Sequence, residues 1–340
     1  MTDILNINLQ NSYSELQKKY DFLTEEIQFL RNSDRTDDLT PRERFRLKKQ
    51  IEESEAEREQ IKQQLQKLET TSTFIGEDLY RTLLRLGYRS QVRLFRKLIE
   101  TESVAAFLIH GFPDYGQRWL LNRLVVQYVP YFLQDKIIKV NVSRKIRRND
   151  TSALWRDVAG RVGLKGKQYT PSEIAEKVYQ CLQTQNILLV FHEVETMPEN
   201  TLSELIDGFW LPLVSKIQQL SQTQEQTSPA SKCKLLMFLI DYEGCVGSWQ
   251  VPFTEQLNSN TTSKILFKPP IITEFSDNDL MDWIETEYDK LPPVLTTQVD
   301  NTVQAILTDS ENGVPELVLE KICTDCGCDW YEESEKWLKL

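Results

Sequence analysis

With 340 residues, 40% of them apolar and 27% charged, the chain is long enough for two or three domains and reads as globular rather than fibrous or disordered. No run approaches the roughly 18 apolar residues of a membrane span, and the opening "MTDILNINLQNSYSEL" lacks the basic flank and apolar core of a signal peptide. Six cysteines in a chain of this length make no disulfide framework, so a cytoplasmic location is expected. The net charge of −11 conceals a split of −3 over 1–70, +8 over 71–161 and −16 over 162–340, which suits contact between domains or subunits as well as contact with a polyanion.

In chain order, Tyr13, Leu16, Tyr20, Leu23, Ile27 and Leu30 recur at steps of three and four, the seam of an amphipathic helix. "NSDRTDDLTP" interrupts it, and Pro41 is well placed to start a second helix whose seam runs Leu47, Ile51, Ser54, Arg58, Ile61, Leu65, Leu68. Residues 1–70 are therefore expected to form a helical hairpin or coiled coil that oligomerises or docks a protein partner through 13–68. "TTST" at 70–73 reads as a polar joint.

Helical residues around Leu79–Leu98 lead into apolar runs at 104–110, 136–142, 186–192, 234–240 and 264–268. Such runs suit strands buried on both faces of a parallel sheet, and the spacers between them are long enough for crossover helices. The expected fold class is α/β, with a sheet domain over 75–270 and a small helical domain over 271–340. "SQTQEQTSPASK" at 221–232 reads as a surface loop.

After the first strand comes "HGFPDYGQRWLL". Gly111 and Gly116 have the spacing of a phosphate-binding loop, in which backbone N–H groups and a helix N-terminus surround an anion. The side chains do not follow. Gln117 stands where Lys would neutralise the β and γ phosphates, and Arg118 where a Ser or Thr hydroxyl would hold Mg²⁺. "NILLVFHEVE" has the shape of the metal-bearing second strand, but with His192 at the Asp position and Glu193 after it. Two parts of one mechanism have been lost together, so no catalytic residue and no metal ligand is assigned.

In order along the chain, "HGFPDYGQRWLL", "ILLVFHEVE", "LLMFLIDYEG" and "GVPELVLEKI" resemble the STAND signal-transduction P-loop NTPases, and more narrowly the inactive STAND branch of prokaryotic conflict and signalling systems. The resemblance extends over about 75–325. It implies a P-loop NTPase-like sheet flanked by helices and a vestigial nucleotide site at Gly111, Pro113, Gly116, Gln117, Arg118, His192, Glu193 and Pro315, where "GVP" matches a motif near the adenine. It also implies a non-catalytic scaffold or adaptor in signalling or defence, with an effector or adaptor module in the place of 1–70. In a vestigial site, Arg118 is expected to pair with Glu193 or Glu195.

Alternative readings remain. The loop holds ATP or ADP with little or no turnover, or nucleic acid binds the cluster Arg144, Lys145, Arg147, Arg148 at 143–150. Cys323, Cys326 and Cys328 have a CxxC spacing but no complementary Cys or His pair, which argues against zinc. His110 and His192 end two strands and can face one crevice, but no nucleophile accompanies them.

Overall fold

The computed structural model describes residues 16, 18–24, 26–28, 30–31, 41–129, 135–142, 151–166, 168–223, 233–255, 266–338 and 340. The basic cluster at 143–150, Tyr13 of the first seam and residues 224–232 of the expected surface loop lie outside them. The chain divides into two compact units. One draws on residues up to Leu86 with Asp277–Ile306 and Leu319–Ser334; the other comprises Gly87–Ser276, Leu307–Val318 and Glu335–Leu340. The stretch 271–340, expected as one helical domain, is thus shared between the two. Among the described residues, no helix is long and apolar enough to cross a membrane.

The second unit is built on six parallel strands in the order β2-β3-β4-β1-β6-β5. They are β1 (Val104–His110), β2 (Lys136–Asn141), β3 (Ile187–His192), β4 (Leu235–Asp241), β5 (Phe253–Thr254) and β6 (Leu266–Phe267). β1 and β4 are buried along their whole length, as unbroken apolar runs require when both faces of a sheet are covered. The edge strand β2 is buried only in part. β5, too short to leave a periodic signal, was not foreseen.

Alternate residues of the central strands serve opposite faces. Ala106, Leu108, Leu189, Phe191, Met237 and Leu239 share one core. It is covered by α4 (Thr151–Arg161), α5 (Pro171–Leu182), α6 (Glu199–Glu204), a π-helical stretch Leu205–Trp210 and α7 (Leu211–Thr223). α5 starts on a capping box between Thr170 and Glu173, with Pro171 in its first turn. The π-helical stretch ends just before Pro212, whose missing N–H cannot close an ordinary helical bond. On the other face, Phe107 and Phe238 stack at 5.8 Å, and Phe95 of α2 (Arg89–Thr101) sits 4.9 Å from Phe107. α3 (Gln117–Tyr128) follows β1 directly.

In the first unit, α1 (Pro41–Leu83) is continuous for 43 residues, so the joint expected at 70–73 is helix instead. Thr and Ser each cost only about 0.5 kcal/mol in a helix. Burial of Leu79 and Leu83 at the end of α1 outweighs that. The helical residues of 16–31 pack on α1, with Leu16, Tyr20 and Leu23 around Ile61, and Lys19 paired with Glu57 at 2.7 Å. At the end of α1, Trp283 of α8 (Asp277–Glu287) donates its indole N–H to the Thr82 carbonyl at 2.9 Å. Buried Glu287 accepts from Arg85 at 2.5 Å and from Lys290 at 2.9 Å. α9 (Pro293–Thr296), α10 (Val299–Asp309), α11 (Pro315–Asp325) and α12 (Trp330–Trp337) complete the chain.

Candidate functional site: a filled phosphate-loop frame

The turn between β1 and α3 keeps the strand–turn–helix order of a phosphate loop. Gly116 takes a left-handed φ of 69° and hands the chain into the helix. The turn's carbonyls are bonded by the protein's own side chains. The Gln117 side chain, 1% exposed, folds back and donates from Nε2 to the Phe112 carbonyl at 2.8 Å. The same carbonyl accepts the Tyr115 N–H at 3.2 Å. Gln117 lies so close over the turn that a Cβ on Gly111 would sit 3.2 Å from Nε2. Where a lysine would hold out a cation, an uncharged amide is spent on the loop itself.

Tyr88, which sequence reasoning did not single out, adds to these bonds. Its hydroxyl donates to the Tyr115 carbonyl at 3.1 Å and lies 3.4 Å from that of Gly116. A Cβ on Gly116 would fall 2.3 Å from that hydroxyl. Burial, reinforced by the nearby Glu316 carboxylate, pushes the Tyr88 phenol well above its ordinary range, so it stays a neutral donor. Tyr88 is held in turn by an edge-on contact with Phe275 at 4.9 Å. The only advance signal was "LGYRS", a Gly-Tyr pair just ahead of a helix. Gly87 is needed there because φ is 64° and any Cβ would strike the Phe275 ring at 2.1 Å.

The "GVP" segment does arrive at the loop. Pro315 stands near Gly116, and the Glu316 N–H donates to the Asp114 carbonyl at 3.0 Å. Gly313, at φ 102°, accepts the Phe275 N–H at 2.8 Å. From the β4 side, the buried Asp241 carboxylate accepts the N–H groups of Glu243, Gly244 and Val246 at 2.8–3.0 Å. That turn brings Gly244 against the Gly111 carbonyl. The structure therefore gathers Gly111, Gly116, Gln117 and Pro315 into one cluster; Pro113 is exposed on the loop's outer side.

The second-strand residues have other partners. His192 Nδ1 is 2.9 Å from the Tyr242 hydroxyl. Burial, with Arg118 and Lys139 nearby, pulls the imidazole down to about 4, so it is neutral at physiological pH. Glu193 accepts from Asn141 Nδ2 at 2.6 Å, and Glu195 from the Tyr242 N–H at 3.3 Å. Burial raises the Glu195 carboxyl to about 7, helped by Asp241 and Glu193.

Arg118 pairs with neither acid, contrary to expectation. It is exposed and donates its Nε–H to the main-chain oxygen of Leu340 at 3.1 Å. The physical reason is that both carboxylates already have neutral donors, and a solvated guanidinium gains little from an exposed ion pair. His110 engages the Pro269 carbonyl through Nε2 at 2.9 Å, with Nδ1 unpartnered, and His192 engages Tyr242, so the two rings serve different neighbours.

The group that such a loop implies, a Mg²⁺-bound nucleotide, does not fit these residues. The amide at 117 is committed to a carbonyl, 118 has no hydroxyl, and the histidine at 192 is no hard oxygen ligand. Elsewhere, Cys323 and Cys326 are buried, and burial raises both thiols, which disfavours the thiolate that zinc or redox chemistry requires. No group of three His, Cys, Asp or Glu side chains among the described residues could hold a metal ion.

Residues 83–240 match the family described as inactive STAND. Among curated proteins, none matches the sequence. Among solved structures, the chain is similar to the Aeropyrum pernix ORC1 protein determined in complex with DNA, at 14% identity and a TM-score of 0.35, over 74% of this chain. The match spans 61% of that protein's length.

Proposed function

Taking residues 83–240 as an inactive STAND domain, a degenerate form of the STAND NTPase scaffold, we propose that the protein is a non-catalytic adaptor in prokaryotic signalling or defence. The observation that carries this reading is that Gln117 and Tyr88 spend their donors on the loop carbonyls, so the frame is used to hold the fold together. The sheet unit is then a rigid platform. The helices within 13–68 are the recruiting element, as a self-association or partner surface. Phe22 and Phe45, 65% and 71% exposed on those helices, are the large apolar side chains there that a partner could cover. The wider setting in signalling or defence rests on family likeness.

The test is nucleotide turnover. ATP and GTP with Mg²⁺ should release no more phosphate with the wild type than with the Gln117→Ala variant. Turnover that Gln117→Ala or Arg118→Ala abolishes would overturn the reading.

A further inference from the structure

Away from that loop, α2 forms most of an open surface cavity of about 450 Å³, with Arg123 of α3 at its edge. Its walls carry five cationic side chains, Arg89, Arg93, Arg96, Lys97 and Arg123, against a single carboxylate, Glu100. We propose that this cavity is a binding site for a small molecule bearing a chain of two or more phosphates. It shares no residue with the loop.

Three observations point to that ligand. First, the charge pattern is not that of an ordinary solvated helix face, which mixes signs. Arg89, Arg93 and Lys97 follow at steps of four, and Arg93 and Arg96 at a step of three, so like charges are stacked on one side of α2. That spacing destabilises a helix through repulsion, which a polyanion relieves. Only Arg96 is drawn toward Glu100, at 3.7 Å and exposed. Such a concentration of positive charge in a chain of net charge −11 is local and one-sided.

Second, one cation is built in. Arg123 is 6% exposed; its Nη1 donates to the Gly87 carbonyl at 2.8 Å and its Nε to Gln127 Oε1 at 3.4 Å. A guanidinium held this way is oriented before any ligand arrives, and its planar fork suits phosphate oxygens. Arg93 and Lys97 are exposed and can close on the ligand from the water side.

Third, the lining selects phosphate chains over bases. Val92 is the one apolar residue among those that line the cavity, and none is aromatic. There is no stacking platform of the kind that single-stranded nucleic acid uses. The volume lies within the range of small-molecule sites. Recognition therefore rests on the phosphate chain, so inorganic polyphosphate and a nucleoside polyphosphate should bind alike.

The test titrates inorganic tripolyphosphate, without metal and at low salt, into the full chain by calorimetry and thermal denaturation. Wild type should bind it and melt at a higher temperature. The double variant R93E/K97E should bind at least about tenfold more weakly, the loss expected for removing charge-assisted contacts. R118A, altered beside the loop, should bind like wild type. ATP should match tripolyphosphate within a few-fold, whereas orthophosphate should bind about tenfold more weakly or worse. No binding by wild type, undiminished binding by R93E/K97E, loss in R118A, or equal affinity for orthophosphate would each overturn the proposal. So would tight binding of a DNA duplex with no response to tripolyphosphate, which would assign the surface to nucleic acid.

Discussion

Adding one methyl group at the loop tests whether it is a closed structural element. Gly116→Ala meets two separate penalties. At φ 69° an alanine is in the left-handed region, which costs about 1–2 kcal/mol. Its Cβ would also lie 2.3 Å from the Tyr88 hydroxyl, which must leave its place against the Tyr115 carbonyl. A buried hydroxyl and carbonyl left unpaired cost about 1–3 kcal/mol. The sum is about 2–5 kcal/mol, read as a drop in the urea midpoint and melting temperature.

The second penalty disappears if the hydroxyl is removed first, because the next ring atom, Cζ, is 3.6 Å from the added Cβ, an ordinary contact. Tyr88→Phe alone should cost about 1 kcal/mol for its hydrogen bond. In that background, Gly116→Ala should cost only the backbone term. The double-mutant cycle should therefore close with a coupling of about 1–3 kcal/mol. Additivity within about 0.5 kcal/mol would mean the two residues do not touch, and would refute this account of the loop.

Four further outcomes follow from the same structure. His192, held near 4 against an ordinary 6.5, should show an imidazole that stays neutral down to about pH 5 by NMR; because the unfolded chain takes up the proton first, its contribution to stability is full above 6.5 and lost as pH falls toward 4. Glu195 has the opposite sign: raised from 4.5 to about 7, it contributes fully below 4.5 and is lost as pH rises through 7, so Glu195→Gln should raise the melting temperature at pH 8 and leave it unchanged at pH 4.5. Glu287→Ala removes a buried carboxylate that Arg85 and Lys290 hold below its ordinary range despite burial, and should cost about 1–3 kcal/mol in urea titrations near neutral pH. Replacing Phe22 and Phe45 together by Ser should lower the molar mass seen by light scattering, or abolish capture of a partner, without lowering the melting temperature, since both rings are exposed.

Much of the sheet was legible because burial on two faces leaves an uninterrupted apolar run. The sequence runs at 104–110, 136–142, 186–192 and 234–240 each coincide with a strand to within one residue at either end. β5, two residues long, has no periodicity to read. The polar joint at 70–73 failed because local composition is a weak term beside the burial of Leu79 and Leu83 a turn or two later. At the loop, the spacing of Gly111 and Gly116 and the return of Pro315 to them were readable, since motif order carries topology. Tyr88 was not: it acts through a hydroxyl that reaches across 27 residues of sequence, and no local pattern encodes such a contact. The expected Arg118 ion pair failed for a related reason, because Asn141 and the Tyr242 N–H reach Glu193 and Glu195 from other strands.

Hydrogen exchange over the segment spanning 110–118, with and without millimolar ATP and Mg²⁺, tests the central claim most directly, because it reports on the loop itself whatever binds along α2. If Gln117 and Tyr88 hold the loop carbonyls, exchange there is already slow and nucleotide leaves it unchanged. Strong protection of 111–117 on adding nucleotide would mean that the loop opens to cradle phosphate, and the non-catalytic scaffold would have to be given up for a nucleotide-gated switch.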